Sequence, residues 1–337
     1  MRTLVERWDG LRWAVLPSPG PQDSVLYSVA VVSAADVWAV GTAGTGPGDR
    51  GSLPLVEHWN GRSWRLVRLP GLVPAGSSAA LLAVTAWARG PVVAVGSVAI
   101  GRGPSRPLVV RWTGSRWQGI PVARGPGVSA SNSPASLVGV VALAPSSVLA
   151  IGAAGAGSRE HALVLEGSLR RLQPVSSAVL GARMTSLTAA AATAGGGLFL
   201  AGTTPAGGGS ASLVMARRVR ASWALDPAPG PGRAYREIAA IAGSSPRDAW
   251  AVGAFANGPG GPSARPLVEH WDGRAWRAVV VPDPDPGPGA DGGLDAVAVA
   301  GPADVWAVGG STVRRCGPTL PLAEHWDGHL WSVVAAP

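Results

Sequence analysis

Few side chains in this 337-residue chain are suited to chemistry. Glutamate directly precedes histidine in the repeat copies at Glu57-His58, Glu269-His270 and Glu324-His325. Glutamate and histidine together could ligate a metal, but neighbours on an extended strand point to opposite faces. One pair therefore cannot grip one ion, and the three read as structural. Asp283, Asp285, Asp291 and Asp295 crowd four carboxylates into thirteen residues, an oxygen-rich stretch of the kind calcium favours. The prolines between them fix φ and oppose wrapping the backbone around an ion, so a solvated loop is expected. Gly287, Gly289 and Gly292 stand in the spacing of a dinucleotide fingerprint. They lead into a strand, however, with no helix N-terminus to meet a phosphate. There is no Gly-x-Ser-x-Gly elbow, and five histidines leave few candidates for a general base. No catalytic, metal or cofactor residue is expected, no ligand-binding residue is assigned, and the chain reads as a non-enzyme.

Composition narrows the fold. The chain holds 48 Gly and 31 Pro, which punctuate turns and leave little room for long helices. Hydrophobic residues make up 47%, enough for a sizeable core. The net charge of +8 comes with 28 basic residues, all arginine. They are scattered, with doublets only at Arg170-Arg171, Arg217-Arg218 and Arg314-Arg315, whereas a nucleic-acid footprint is usually clustered on one face. Nucleic acid is thus not an expected partner. Cys316 is the only cysteine, so no intrachain disulfide can form. The apolar stretch from Leu81 to Ile100 is interrupted by Arg89-Gly90-Pro91 and reads as two strands rather than a membrane span. The opening MRTLVERWDG lacks the apolar core of a signal peptide.

Two anchors recur. One is Trp-Asp-Gly-x-x-Trp, at Trp8–Trp13, Trp59–Trp64, Trp112–Trp117, Trp271–Trp276 and Trp326–Trp331, with worn copies at Leu165-Glu166-Gly167 and Arg218 to Trp223. First positions 8, 59, 112, 165, 218, 271 and 326 are 51, 53, 53, 53, 53 and 55 residues apart. The other is Trp-Ala-Val-Gly, at Trp38–Gly41, Trp250–Gly253 and Trp306–Gly309, worn to Val93–Gly96, Leu149–Gly152 and Phe199–Gly202. Glycine survives in all six, which signals a backbone demand such as positive φ or close approach. Each unit reads as four short strands, for example 294–300, 305–309, 322–326 and 331–334, with Asp327-Gly328 as a hairpin turn. Asp36, Asp248 and Asp304 read as turn formers. Residues 132–223 are the weakest stretch: 187–194 is alanine-rich enough for a helix, yet the flanking register favours strands.

These residues resemble the kelch or galactose-oxidase type of propeller blade, and the Leu-Val-Glu-His-Trp-Asp-Gly and Asp-Val-Trp-Ala-Val-Gly wording is similar to propeller-like repeats of actinobacterial proteins. The resemblance implies an all-β propeller of four-stranded blades forming one domain, with repeat units at about 1–24, 25–76, 77–130, 131–178, 179–230, 231–290 and 291–337. Seven blades with the first incomplete are expected; six blades plus an extra hairpin are the alternative. Residues 2–8 match 265–271, strands three and four of a blade, and the reading slightly favours a true start upstream of Met1. Copper chemistry of the galactose-oxidase kind would require a Tyr–Cys cross-link, a second Tyr and two His. Only Tyr27 and Tyr235, read at matching strand-one positions, and Cys316 are present, and they do not match. The kelch double glycine occurs only at Gly309-Gly310. Fourteen of fifteen tryptophans lie in register with the anchors, all but Trp87, and read as packing rather than sugar-stacking platforms. The expected function is non-catalytic binding or scaffolding of a protein or surface ligand, through the loops at 42–53, 254–266 and 282–293. A lectin-like module and an enzyme of a propeller class are the alternatives. The resemblance implies export or surface display, against a cytoplasmic alternative.

Overall fold

The computed structural model describes residues 2–44, 51–88, 90–125, 128, 133–143, 146–205, 211–228, 230–231, 235–256, 264–283, 290–312 and 317–336. They form two compact units, Met1–Asp9 with Ala14–Gly181, and Gly10–Trp13 with Ala182–Pro337. Cys316 and the middle of each long loop, at 45–50, 257–263 and 284–289, lie outside the described residues.

The first unit opens with a hairpin of β1 (Val5–Trp8) and β2 (Trp13–Leu16), of whose strands only Trp13 is assigned to the second unit. Three four-stranded antiparallel blades follow. Blade 1 is β3 (Ser24–Ser33), β4 (Asp36–Gly44), β5 (Ser52–Trp59) and β6 (Trp64–Leu66). Blade 2 is β7 (Ser77–Ala86), β8 (Val92–Ile100), β9 (Arg106–Trp112) and β10 (Trp117–Gly119). Blade 3 is β11 (Ala135–Ala142), β12 (Ser147–Ala154), β13 (His161–Ser168) and β14 (Arg171–Pro174), followed by the one-turn α1 (Ala178–Arg183). In the second unit, blade 4 is β15 (Ser186–Ala192), β16 (Leu198–Pro205), β17 (Ala211–Val219) and β18 (Ser222–Asp226). Blade 5 is β19 (Tyr235–Ser245), β20 (Asp248–Ala256), β21 (Arg265–Trp271) and β22 (Trp276–Val279). Blade 6 is β23 (Asp291–Gly301), β24 (Asp304–Thr312), β25 (Thr319–Trp326) and β26 (Trp331–Val333). The main expectation of seven blades is corrected to its alternative, six blades and a hairpin, because β1 and β2 supply only strands three and four of a unit. The alanine-rich stretch is strand, as the register required.

The surviving glycine has one cause in every blade. Gly41, Gly96, Gly152, Gly202, Gly253 and Gly309 stand on strand two opposite Leu26, Leu81, Leu137, Leu187, Ile238 and Leu294 of strand one. Immediately after each partner the register skips one residue, a bulge. The bulge turns a strand-one carbonyl toward the glycine: a Cβ there would sit 1.9 to 2.1 Å from the carbonyl oxygen of Val25, Ala80, Ser136, Ser186, Glu237 or Gly293. Close approach, not positive φ, is the demand.

Within each unit, neighbouring blades pack through both faces of strand one and strand two. Val84 and Ala86 of β7 join the cluster of Trp38, Val40 and Val56 from blade 1. Val297 and Val299 of β23 do the same with Trp250, Val252 and Val268 from blade 5. Strand-two aromatics also meet the paired tryptophans of the next blade. Trp38 packs edge-on against Trp117 at 5.4 Å, Phe199 against Trp276 at 5.8 Å and Trp250 against Trp331 at 5.4 Å. Such edge-to-face pairs add specificity to the area they bury.

Gly96→Ala is expected to cost about 2–3 kcal/mol or more in urea unfolding, since the new methyl collides with backbone that cannot rotate away. Gly301→Ala, at a position with open space around its Cβ and no positive φ, should stay within about 0.5 kcal/mol of the parent.

Candidate functional site

The Glu-His pairs separate across the strand as their alternation requires. Glu57, Glu269 and Glu324 are fully buried on β5, β21 and β25. His58, His270 and His325 point the other way and pair Nε2 with Oδ1 of Asp36, Asp248 and Asp304 at 2.8, 2.7 and 2.9 Å. Each histidine ring also lies against the strand-two tryptophan of its own blade, at 4.1 to 4.4 Å between centroids. Trp59, Trp271 and Trp326 donate their indole N–H to carbonyls of the same short turn, Ala34, Pro246 and Pro302. The aspartates are thus more than turn formers: they tie strand three to the turn between strands one and two. At the strand-three to strand-four turn, Asp272 accepts from the backbone N–H of Ala275 and Arg274, which hold its carboxyl down at about 2.

The buried glutamates occupy a position that is Val110, Leu165 and Ala216 in blades 2, 3 and 4. A carboxylate there must find donors or lose its charge. Glu57 accepts from Ser18 Oγ at 2.8 and 2.9 Å and from Thr3 Oγ1 at 3.3 Å. Glu269 accepts from Gly230 N at 2.9 Å. Ser18 and Gly230 belong to matching linkers, Pro-Ser-Pro-Gly-Pro and Pro-Ala-Pro-Gly-Pro, that lead into strand one of the same blade. Burial raises both carboxyls above the ordinary range, and these donors pull back against it. Glu324 has no hydrogen-bond donor to either oxygen among the described residues. Burial, and then the charge of Asp283, push it up to about 8.

The three described acidic residues of 283–295 are not gathered into one site. Asp283 pairs with Arg265 at 2.5 Å, Asp291 accepts from Ala264 N at 2.8 Å, and Asp295 stands at the bulge of β23; Asp285, Gly287 and Gly289 lie outside the described residues, and Gly292 is in β23. Among the described residues no three His, Cys, Asp or Glu side chains are placed to hold a metal. Tyr27 and Tyr235 do not match, contrary to expectation: Tyr27 is the extra residue of the β3 bulge, whereas Tyr235 pairs with Ala256 at the start of β19. The Tyr235 hydroxyl donates to Glu237, and partial burial with that bond pushes the phenol up to about 12, which suits a donor and not a nucleophile. Among the described residues no helix is long and apolar enough to cross a membrane.

What the sequence did not indicate is an uncovered apolar row. Val29 of β3 matches Val84, Val140 and Ile241, each 7% exposed because it packs on the preceding blade, yet Val29 is 61% exposed. Val31, one alternation further along, is 66% exposed. Leu4, before β1, is 56% exposed, whereas Leu55, Leu108, Leu163 and Leu267 at the matching position are buried. In the second unit, Val308 is 37% exposed where Val252 is fully covered. Hydrophobic periodicity marks all these residues as core, yet they stand exposed among the described residues.

Glu324 gives a pH test. Its folded-state pKa lies above the ordinary 4.5, so the fold favours the protonated acid. That contribution is complete below about pH 4.5 and is lost as pH rises through about 8. Glu324→Gln should match the parent in urea unfolding near pH 4.5 and exceed it at pH 8; equal stability at both would mean the carboxyl is solvated.

No protein-family model matches the chain, and no curated protein matches it. Solved structures do. A structure of YCF48 bound to D1 peptide superposes with a TM-score of 0.54 at 13% identity, over 97% of this chain and 85% of that one. A protein of unknown function from Dyadobacter fermentans gives 0.58 at 14% identity, over 91% and 96%. A PL25 ulvan lyase gives 0.55 at 8% identity, over 93% and 80%. At these identities the likeness is one of fold alone: the chain is an all-β protein with the β-propeller fold, built of four-stranded antiparallel blades.

Proposed function

We propose that the protein is a non-catalytic binding or scaffolding module whose ligand is another polypeptide. The observation that carries this reading is the uncovered row of Val29 and Val31, with Tyr27 beside it, on β3. Contiguous exposed side chains of this kind mark interaction sites, and covering each valine is worth about 1.5–3 kcal/mol. Aliphatic side chains standing out from a strand suit an apolar protein surface. They offer a sugar neither a flat ring to stack on nor a polar group to meet its hydroxyls. Most tryptophans that might have stacked on a glycan are instead engaged between strands and blades.

The similar folds include a peptide-bound protein and a polysaccharide lyase, so the fold supports either class of activity. Kinship with kelch-type blades and export or surface display belong to this proposal, on the strength of the repeat wording.

The test is parallel screening of the full chain against a displayed library of natural protein segments and against a glycan array. Polypeptide hits that Val29→Asp/Val31→Asp weakens at least tenfold are expected, with the far-ultraviolet dichroism of the variant unchanged. Glycan hits that shift the tryptophan fluorescence, with no polypeptide hit, would overturn the reading in favour of a lectin.

A further inference from the structure

The arginines are scattered along the sequence, yet in the first unit blades 1 to 3 gather several of them at one end. The turns between strands three and four are 60–63, 113–116 and 168–171, flanked by Trp59 and Trp64, Trp112 and Trp117, and Gly167 opposite Leu172. These turns share an end. Trp38 of blade 1 meets Trp112 and Trp117 of blade 2, and Val93, at the same place in blade 2, joins Leu169 and Leu172 of blade 3 in one cluster. Arg62 and Arg65 of blade 1, Arg116 of blade 2, and Arg170 and Arg171 of blade 3 stand there exposed, with no side-chain partner among the described residues. Arg111 adds a half-buried guanidinium, 3.3 Å from Gln118 Oε1.

The choice of cap is what leaves the five unpaired. Each turn uses a side-chain oxygen at its first position to accept the backbone N–H groups that follow. In blades 5 and 6 that oxygen belongs to Asp272 and Asp327, and Asp272 then also takes the Arg277 guanidinium at 2.9 Å. In blades 1 to 3 it is neutral. Asn60 Oδ1 accepts from Arg62 N and Ser63 N at 3.0 Å, Thr113 Oγ1 from Arg116 N at 3.3 Å, and Ser168 Oγ from Arg170 N at 3.2 Å. The turn geometry is kept without the carboxylate. The acids at this end of blades 1 to 3, among the described residues, are Asp36, engaged by His58 and Trp38, and Glu166, which stands where blade 1 has His58.

We propose that this end of blades 1 to 3 binds an acidic segment of another polypeptide. This rests on the polypeptide-binding reading and names the chemistry of a further contact, carboxylates met by guanidinium forks, which pair bidentately. Single-stranded nucleic acid and sugars favour an open aromatic face to stack on. Here Trp59 ties its indole N–H to the Ala34 carbonyl, and Trp112 and Trp117 pack on Trp38. Glu166 among the arginines also suits the intermittent charge of a peptide better than the continuous charge of a phosphate backbone.

The probe is a fluorescein-labelled synthetic peptide of alternating Glu and Gly, titrated against the full chain by anisotropy beside its Gln–Gly counterpart. Saturable binding of the Glu peptide alone, weakening with added salt, is expected. Arg62→Gln/Arg65→Gln and, separately, Arg170→Gln/Arg171→Gln should each weaken it at least tenfold. Arg102→Gln/Arg106→Gln removes the same charge at the opposite end of blade 2 and should change affinity less than twofold. All these side chains are exposed, so the variants should keep the far-ultraviolet dichroism of the parent. Absence of saturable binding overturns the proposal, as does equal loss in all three variants, which would mean attraction to net charge alone. Tighter binding of oligothymidylate or dextran sulfate of matching charge, lost in the same two turn variants, overturns it in favour of nucleic acid or an acidic glycan. If the acidic peptide fails while library segments still bind through Val29 and Val31, only this inference falls. If no polypeptide binds at all, the broader reading falls with it.

Discussion

The fold turns on one steric contact, the approach of a strand-one carbonyl to a strand-two glycine. The bulge that creates it bends strand one and re-aims its side chains, so that Val84, Val140, Ile241 and Val297 meet the preceding blade instead of running past it. Remove the space at the glycine and either the bulge or the pairing must go. Everything else in the tetrad can be exchanged: Trp38 becomes Val93, Leu149 or Phe199, because those side chains fill a hydrophobic slot that tolerates changes of shape.

A second layer of constraint runs along the short-turn end of the blades. Three Asp–His–Trp clusters and three indole-to-carbonyl bonds tie strand three to the turn ahead of strand two. Strand three is otherwise held only by its ladder bonds and packing. In blade 4 the place of the histidine is taken by Arg217, which bonds Asp226 at 2.8 Å and lies over the ring of Trp271 in blade 5. The tie within the blade has been exchanged there for one that includes the neighbour, a cation over an aromatic face.

Much of this was legible in the residues. The spacing of the anchors marked the blades, and alternation separated each glutamate from its histidine. The persistence of Gly41, Gly96, Gly152, Gly202, Gly253 and Gly309 pointed to a backbone demand, either positive φ or close approach, without deciding between them. Less could be read where the signal is the same for two outcomes. Val29 and Val84 have identical side chains in matching contexts, and one is exposed while the other is buried; hydrophobicity reports what a residue favours and not whether a neighbour is there to satisfy it. Glu324 and Glu269 are likewise written alike, yet only Glu269 has a donor among the described residues. Tyr27 and Tyr235 were misaligned: counted from the residue opposite the conserved glycine, Leu26 or Ile238, Tyr27 stands one place after it and Tyr235 three places before it.

The buried glutamate also defines where a blade can be cut from the chain. The linker ahead of strand one supplies a donor to Glu57 and to Glu269, whose own place is on strand three, so linker, strand one, strand two and strand three make up one cassette. Strand four follows the tight turn at Gly61, Gly273 or Gly328 and adds to the cassette through its ladder with strand three. A graft, duplication or permutation whose junction falls in that turn carries acid and donors together. One whose junction falls in the linker strands a carboxylate in a hydrophobic slot, which the worn blades avoid by placing Val110, Leu165 or Ala216 there. A designer extending this array would therefore choose the turn between strands three and four as the seam.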